Sequence, residues 1–170
     1  MMYMINLENF MIRYCYVDTC VLSDILIQYN PINPLQSLEV SRFIKPNMLR
    51  EINRAIESSG YEGMIITSSF AFIELINKFN DIFGRTKVQP YTIANFIKQP
   101  PQWITIEEVG NATSLSLCDV PQYTPLLETI SGDDAIHIAT AISRGEHISF
   151  CTTDLKIKQL SIGNIVFLTD

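Results

Sequence analysis

Short apolar runs with almost no polar alternation punctuate this chain at residues 12–17, 64–67, 148–152 and 165–168, with helical patterns between them. A strand exposed on one side alternates apolar and polar residues, whereas a strand covered on both faces does not. The runs therefore predict strands buried in a parallel sheet with helices packed on both sides. Residues 103–109, beyond the break at Pro100-Pro101, add a strand of more alternating character. The expected class is α/β: a three-layer α/β/α sandwich around a mostly parallel central sheet.

Helices are predicted over residues 22–29, 69–79, 91–98 and 133–143, with Gly145 closing the last. Residues 155–160 predict a short helix, 124–129 a further one, and 113–119 stay ambiguous. Residues 35–58 read as a helical hairpin broken at Pro46, since proline lacks the amide proton that a helix interior needs. At 170 residues the chain suits one domain over 1–170, with an N-terminal extension of about 1–11 and the hairpin at about 35–60. Apolar residues at 47% and charged ones at 18% indicate a globular chain rather than a disordered one. No apolar stretch approaches the roughly 18 residues of a membrane span. The start, Met1 to Phe10, lacks the basic and apolar segments of a secretion signal. A soluble, cytoplasmic protein without membrane partners is expected.

Four acids stand where the strands end or helices begin: Asp18, Glu74, Asp134 and Asp154. A parallel sheet gathers its strand ends along one edge, so residues distant in sequence can meet there. Carboxylates held that close repel, and some stay protonated unless a cation neutralises them. Magnesium or manganese is the expected occupant, because hard divalent ions take oxygen ligands. The formal net charge of −6 argues against sequence-independent clamping of nucleic acid but not against a nucleic-acid substrate. Two bound divalent ions would bring it to −2.

Each acid also has a plain structural reading. Asp18, with Thr19 beside it, and Asp154, after Thr152-Thr153, both suit helix caps. Glu74 lies nearly opposite an apolar stripe of Phe72, Leu75, Ile76 and Phe79, which predicts exposure; Phe70 and Ile73 make the other side apolar too and favour burial against a partner. In the helix from residue 133, Ala135, Ile138, Ala139 and Ile142 define the expected buried stripe, and Asp134 borders it. Asp133 falls on the far side with His137, which predicts a pair between them four residues apart; contacting RNA or orienting a carboxylate are the other roles open to His137. Cys15, Cys20, Cys118 and Cys151 show no CxxC spacing and read as reduced thiols.

The ordered set resembles the PIN-domain ribonucleases, notably the toxin components of virulence-associated toxin–antitoxin pairs. The matching pieces are Tyr16-Val17-Asp18-Thr19-Cys20-Val21-Leu22, then Ile65-Ile66-Thr67-Ser68-Ser69 leading to Glu74. Asp134-Ala135-Ile136-His137-Ile138-Ala139-Thr140-Ala141 and Thr152-Thr153-Asp154 follow in the same order. The resemblance implies an acidic pocket that binds magnesium or manganese and hydrolyses RNA phosphodiesters. It makes Asp18, Glu74, Asp134 and Asp154 the catalytic and metal-site acids, with Thr19 and Thr152 as supporting hydroxyls. It also implies a small antitoxin partner and self-association as a homodimer. The longer leading segment and the 35–60 region depart from the family pattern.

Two other readings compete. An aspartate-based phosphotransfer enzyme would use Asp18 as nucleophile, although Cys20 stands where that chemistry wants a second aspartate. A non-catalytic PIN-like module binding RNA or protein would use the same pocket structurally. Arg42, Lys45, Arg50 and Arg54 form the densest basic segment, suited to guiding RNA phosphates or to an ordinary solvated face.

Overall fold

The computed structural model describes residues 13–34, 36–60, 62–77, 88–109, 132–144, 147–160, 162 and 164–170. The N-terminal extension, the segments 113–119 and 124–129, and Phe79, Cys118 and Gly145 lie outside the described residues. Strands β1 (Arg13–Val17), β2 (Ile65–Ser68), β3 (Ile104–Glu107), β4 (His147–Cys151) and β5 (Ile165–Leu168) form one sheet in the order β3-β2-β1-β4-β5. Every strand pairing is parallel. Around it lie α1 (Thr19–Gln28), α2 (Pro46–Ser58), α3 (Ser69–Asn77), α4 (Pro90–Lys98) and α5 (Gly132–Ser143), with a 3-10 turn at Ile157–Gln159.

The pleat sorts β1 onto two cores. Cys15 and Val17 join Ile65 and Cys151 against Val21, Leu22 and Ile25 of α1, Ile52 of α2 and Leu75 of α3. Tyr14 and Tyr16 point the other way, with Ile66, Ile148 and Phe150, against Ile138 and Ala141 of α5. One core on each face makes the fold a three-layer α/β/α sandwich. It also explains the unalternated runs, because both faces of β1, β2 and β4 are dry. Burying a side chain such as Ile25 contributes about 1.5–3 kcal/mol.

The region expected as a helical hairpin contains one helix. Residues 36–45 carry no helix, and Pro46 is the first residue of α2. Proline is well suited to that position, where the amide would lack an intrahelical acceptor anyway. Side chains hold the preceding segment instead. Asn53 of α2 accepts from the Leu38 amide at 3.1 Å and donates to its carbonyl at 3.2 Å. Asp24, buried on α1, accepts from the Ser41 hydroxyl and from the amides of Phe43 and Ile44.

At the opposite edge of the sheet, a Cβ on Gly63 would stand 2.5 Å from the carbonyl carbon of Ile104. Only glycine lets the entry to β2 pass so close to β3. Among the described residues no helix is long and apolar enough to cross a membrane.

Candidate active site

The order β3-β2-β1-β4-β5 reverses direction between β1 and β4, and ligands of such sheets bind beyond the carboxyl ends at that reversal. Asp18 is the first residue past β1. Its amide donates to the Cys151 carbonyl at 3.2 Å, extending the β1–β4 ladder to the crevice floor. Its Oδ1 accepts the Val21 amide at 3.1 Å, which makes it the N-cap of α1, and its Oδ2 accepts the Thr153 amide at a long 3.4 Å. Capping and a crevice position thus coexist in one residue. Asp18 is only 9% exposed, and burial pushes its carboxyl above the usual 3.8; bonds from Val21 and the Thr152 hydroxyl, and the nearby His137, offset this in part.

Glu74 is 7% exposed, so it belongs to the buried face of α3. The stripe expected there is rotated: Ala71, Phe72, Glu74 and Leu75 are buried, whereas Ile73 and Ile76 are 51% and 57% exposed. Hydrogen bonding is what permits it, since a buried carboxylate is costly without partners. Thr19 donates to Glu74 Oε2 at 2.9 Å, and His137 Nε2 lies 3.0 Å from Oε1. The same Nε2 lies 3.2 Å from the Thr19 hydroxyl. Residues of α1, α3 and α5 are therefore joined at one point.

His137 itself is 3% exposed, and Nδ1 lies 2.7 Å from the Tyr16 hydroxyl across 121 residues of chain. The expected pair with Asp133 is thus replaced by contacts across the fold. The buried face of α5 is also wider than the expected stripe, taking in His137, Thr140 and Ala141, while Ala135 and Ile142 are half-buried. Sequence reading missed Tyr16 and undervalued His137. The available signal was a tyrosine inside a doubly covered strand, because its hydroxyl must find a polar partner there.

Asp134 stands in the first turn of α5, half-buried and one turn before His137. Asp154 follows β4. Its amide donates to the Thr152 hydroxyl at 3.1 Å, and its Oδ1 accepts the Lys156 amide at 2.9 Å. Thr152, fully buried, thus touches both Asp18 and Asp154. Cys15, Cys20 and Cys151 are free thiols, and the first and last place their sulfurs 3.6 Å apart beneath the crevice.

Among the described residues no three His, Cys, Asp or Glu side chains are already gathered as a metal-holding group. Magnesium does not require three, since it keeps several waters and takes one or two carboxylates. The oxygens at Asp18, Glu74 and the neighbouring hydroxyls are hard donors of the right kind. A buried carboxylate whose ionised form is disfavoured, as at Asp18, is what a cation would relieve.

Some of the basic side chains are paired. Arg13 and Arg54 pair with Glu51, and Arg144 pairs with Glu62 and Glu107. Among the described residues no carboxylate pairs with Arg42, Lys45 or Lys156. Arg42 lies over the Phe43 ring at 4.9 Å, and Lys45 donates to the Arg42 carbonyl at 2.7 Å. Compared with known proteins, the chain matches no family model and no curated protein.

Proposed function

We propose that this chain is a metal-dependent ribonuclease of PIN type, hydrolysing RNA phosphodiester bonds with magnesium or manganese at Asp18. The observation that carries the reading is the Asp18 carboxylate, buried at the β1–β4 reversal with Glu74 tied to its neighbour Thr19 at 2.9 Å. Ordered resemblance at four separated segments adds to it.

Asp18 and Glu74 would hold the principal ion, with Asp134 and Asp154 completing the acidic crevice. The bound ion supplies a polarised water and offsets charge building on the scissile phosphate. The chain's own residues do the rest. Val21 and Thr153 amides and the Thr152 hydroxyl hold the Asp18 carboxylate in one orientation. Thr19 and His137 do the same for Glu74. Asp154 flanks the crevice with its carboxylate beside solvent, suited to orienting water. A small antitoxin and a homodimer belong to the same proposal.

The deciding experiment incubates the purified protein with mixed single-stranded RNA in magnesium, manganese or chelator. Metal-dependent hydrolysis that Asp18→Asn abolishes supports the reading. Retained hydrolysis in that variant, or none in the parent with either metal, overturns it. Cation stabilisation without cleavage would favour a binding module, and a phosphoryl group trapped on Asp18 would favour phosphotransfer.

A further inference from the structure

We propose that Tyr16 and His137 form a buried positioning pair that locks Glu74 and Thr19 into the orientation a cation at Asp18 requires. The inference rests on the nuclease reading only in taking a cation to bind at that crevice. Its physical content is an assignment of protons along four side chains from three layers of the fold.

The chain of contacts starts at Tyr16. Its hydroxyl is fully buried, and a phenol, with an ordinary value of about 10, is a donor at neutral pH. His137 Nδ1, 2.7 Å away, is the acceptor that proton meets. Imidazole that accepts at Nδ1 carries its own proton at Nε2. That proton points at Glu74 Oε1, 3.0 Å distant, with the Thr19 oxygen 3.2 Å away on the same side. Thr19 in turn gives its hydroxyl proton to Glu74 Oε2 at 2.9 Å.

Glu74 Oε1 is the nearer of the two oxygens that face Nε2, and the Tyr16 hydroxyl also has the Ser68 and Thr140 side chains beside it. Aromatic rings also flank the imidazole. The Tyr16 ring meets it edge-on with centroids 5.8 Å apart, and Phe70 lies 5.7 Å away on another side. Both oxygens of Glu74 are consequently aimed before any ligand arrives. Partners of this kind, which orient a metal-binding carboxylate without touching the ion, typically govern affinity.

The test uses the whole chain and three variants. His137→Gln keeps an amide N–H able to reach Glu74, His137→Leu keeps volume alone, and Tyr16→Phe deletes only the hydroxyl. First, nitrogen NMR of the metal-free protein reads the proton position directly, and with two histidines in the chain the signals are readily assigned. The expected result is a His137 proton at Nε2 with Nδ1 accepting from Tyr16, and a proton resident on Nδ1 overturns the assignment.

Second, calorimetric titration with Mn2+ alone measures affinity apart from cleavage. His137→Leu should weaken binding by about ten- to a hundredfold, with His137→Gln recovering part of the loss. Tyr16→Phe preserves the ring packing and should also weaken binding, which keeps the test open if His137→Leu fails to fold. Folded variants that bind Mn2+ as tightly as the parent, losing only thermal stability, overturn the proposal while leaving the nuclease reading intact. A parent that binds no Mn2+ overturns the nuclease reading itself.

Discussion

The amide of Asp18 donates to the carbonyl of Cys151 at 3.2 Å, one step beyond the last paired residues of β1 and β4. This bond brings a carboxylate to the reversal point while keeping its backbone part of the sheet. The side chain, not the backbone, is then the variable. Asp18→Asn retains the shape and the oxygen that caps α1, and removes the charge. RNA cleavage should fall by roughly a thousandfold, the equivalent of about 4 kcal/mol of lost electrostatic stabilisation. Circular dichroism of the variant should match the parent.

The same substitution has a consequence for stability. Burial raises the Asp18 carboxyl in the folded protein above its ordinary 3.8. A raised folded value favours the protonated form, so its stabilising contribution is complete below 3.8 and is lost as pH rises through the folded value. Without metal, Asp18→Asn should therefore melt higher than the parent at neutral pH. The gap should close as pH falls toward 3.8. A melting series in chelator across that window checks the sign, and a gap that widens on acidification would contradict it.

Cations should separate the two proteins. Under the proposed reading, magnesium or manganese at a hundred times its dissociation constant should add about 2.7 kcal/mol to the folded parent. The Asp18→Asn protein should gain little. Thermal melts with rising metal, followed by chelation to reverse the gain, measure this without any RNA present.

Asp24 supplies a control outside the proposed metal site. Its Oδ2 takes the Ser41 hydroxyl and the amides of Phe43 and Ile44, holding residues 41–44 against α1. Asp24→Ala strands those donors in a dry site at a cost of about 3 kcal/mol or more. Urea unfolding should register the loss, while the metal affinity of the fraction still folded should stay close to the parent's.

Much of this was legible in the residues themselves. Strand β5 matches the expected 165–168, and β1, β2 and β4 fall within a residue of expectation, because dry strands advertise themselves as unbroken apolar runs. Strand order was not legible, since nothing local to β1 says that β4 rather than β3 lies beside it. Glu74 and His137 were hard to read for one shared reason. Apolar phasing counts hydrophobic side chains, and it puts Ile76 inside and Glu74 outside unless the partners Thr19 and Tyr16 are known. Pro46 misled differently: the same missing amide that breaks a helix interior starts a helix at its first turn.

Residues 41–44 are tied to α1 through Asp24. Asp24 lies six residues into α1 from Asp18, a rise of about 9 Å, and it anchors the segment bearing Arg42. The Met48 amide donates to the Asp170 carbonyl at 2.9 Å, so α2 begins beside the carboxyl end of β5, along the same edge as Asp18. Among the described residues Arg42 and Lys45 have no carboxylate partner, whereas Arg13 and Arg54 share Glu51. Under the nuclease reading, replacing both Arg42 and Lys45 by Ala should remove two phosphate contacts. Binding of single-stranded RNA to the Asp18→Asn protein should weaken, and the slope of log affinity against log salt should shrink by about 1.4. Replacing Arg13 by Ala should leave that slope unchanged. Equal slopes for all three proteins would mean that the basic segment is only a solvated face.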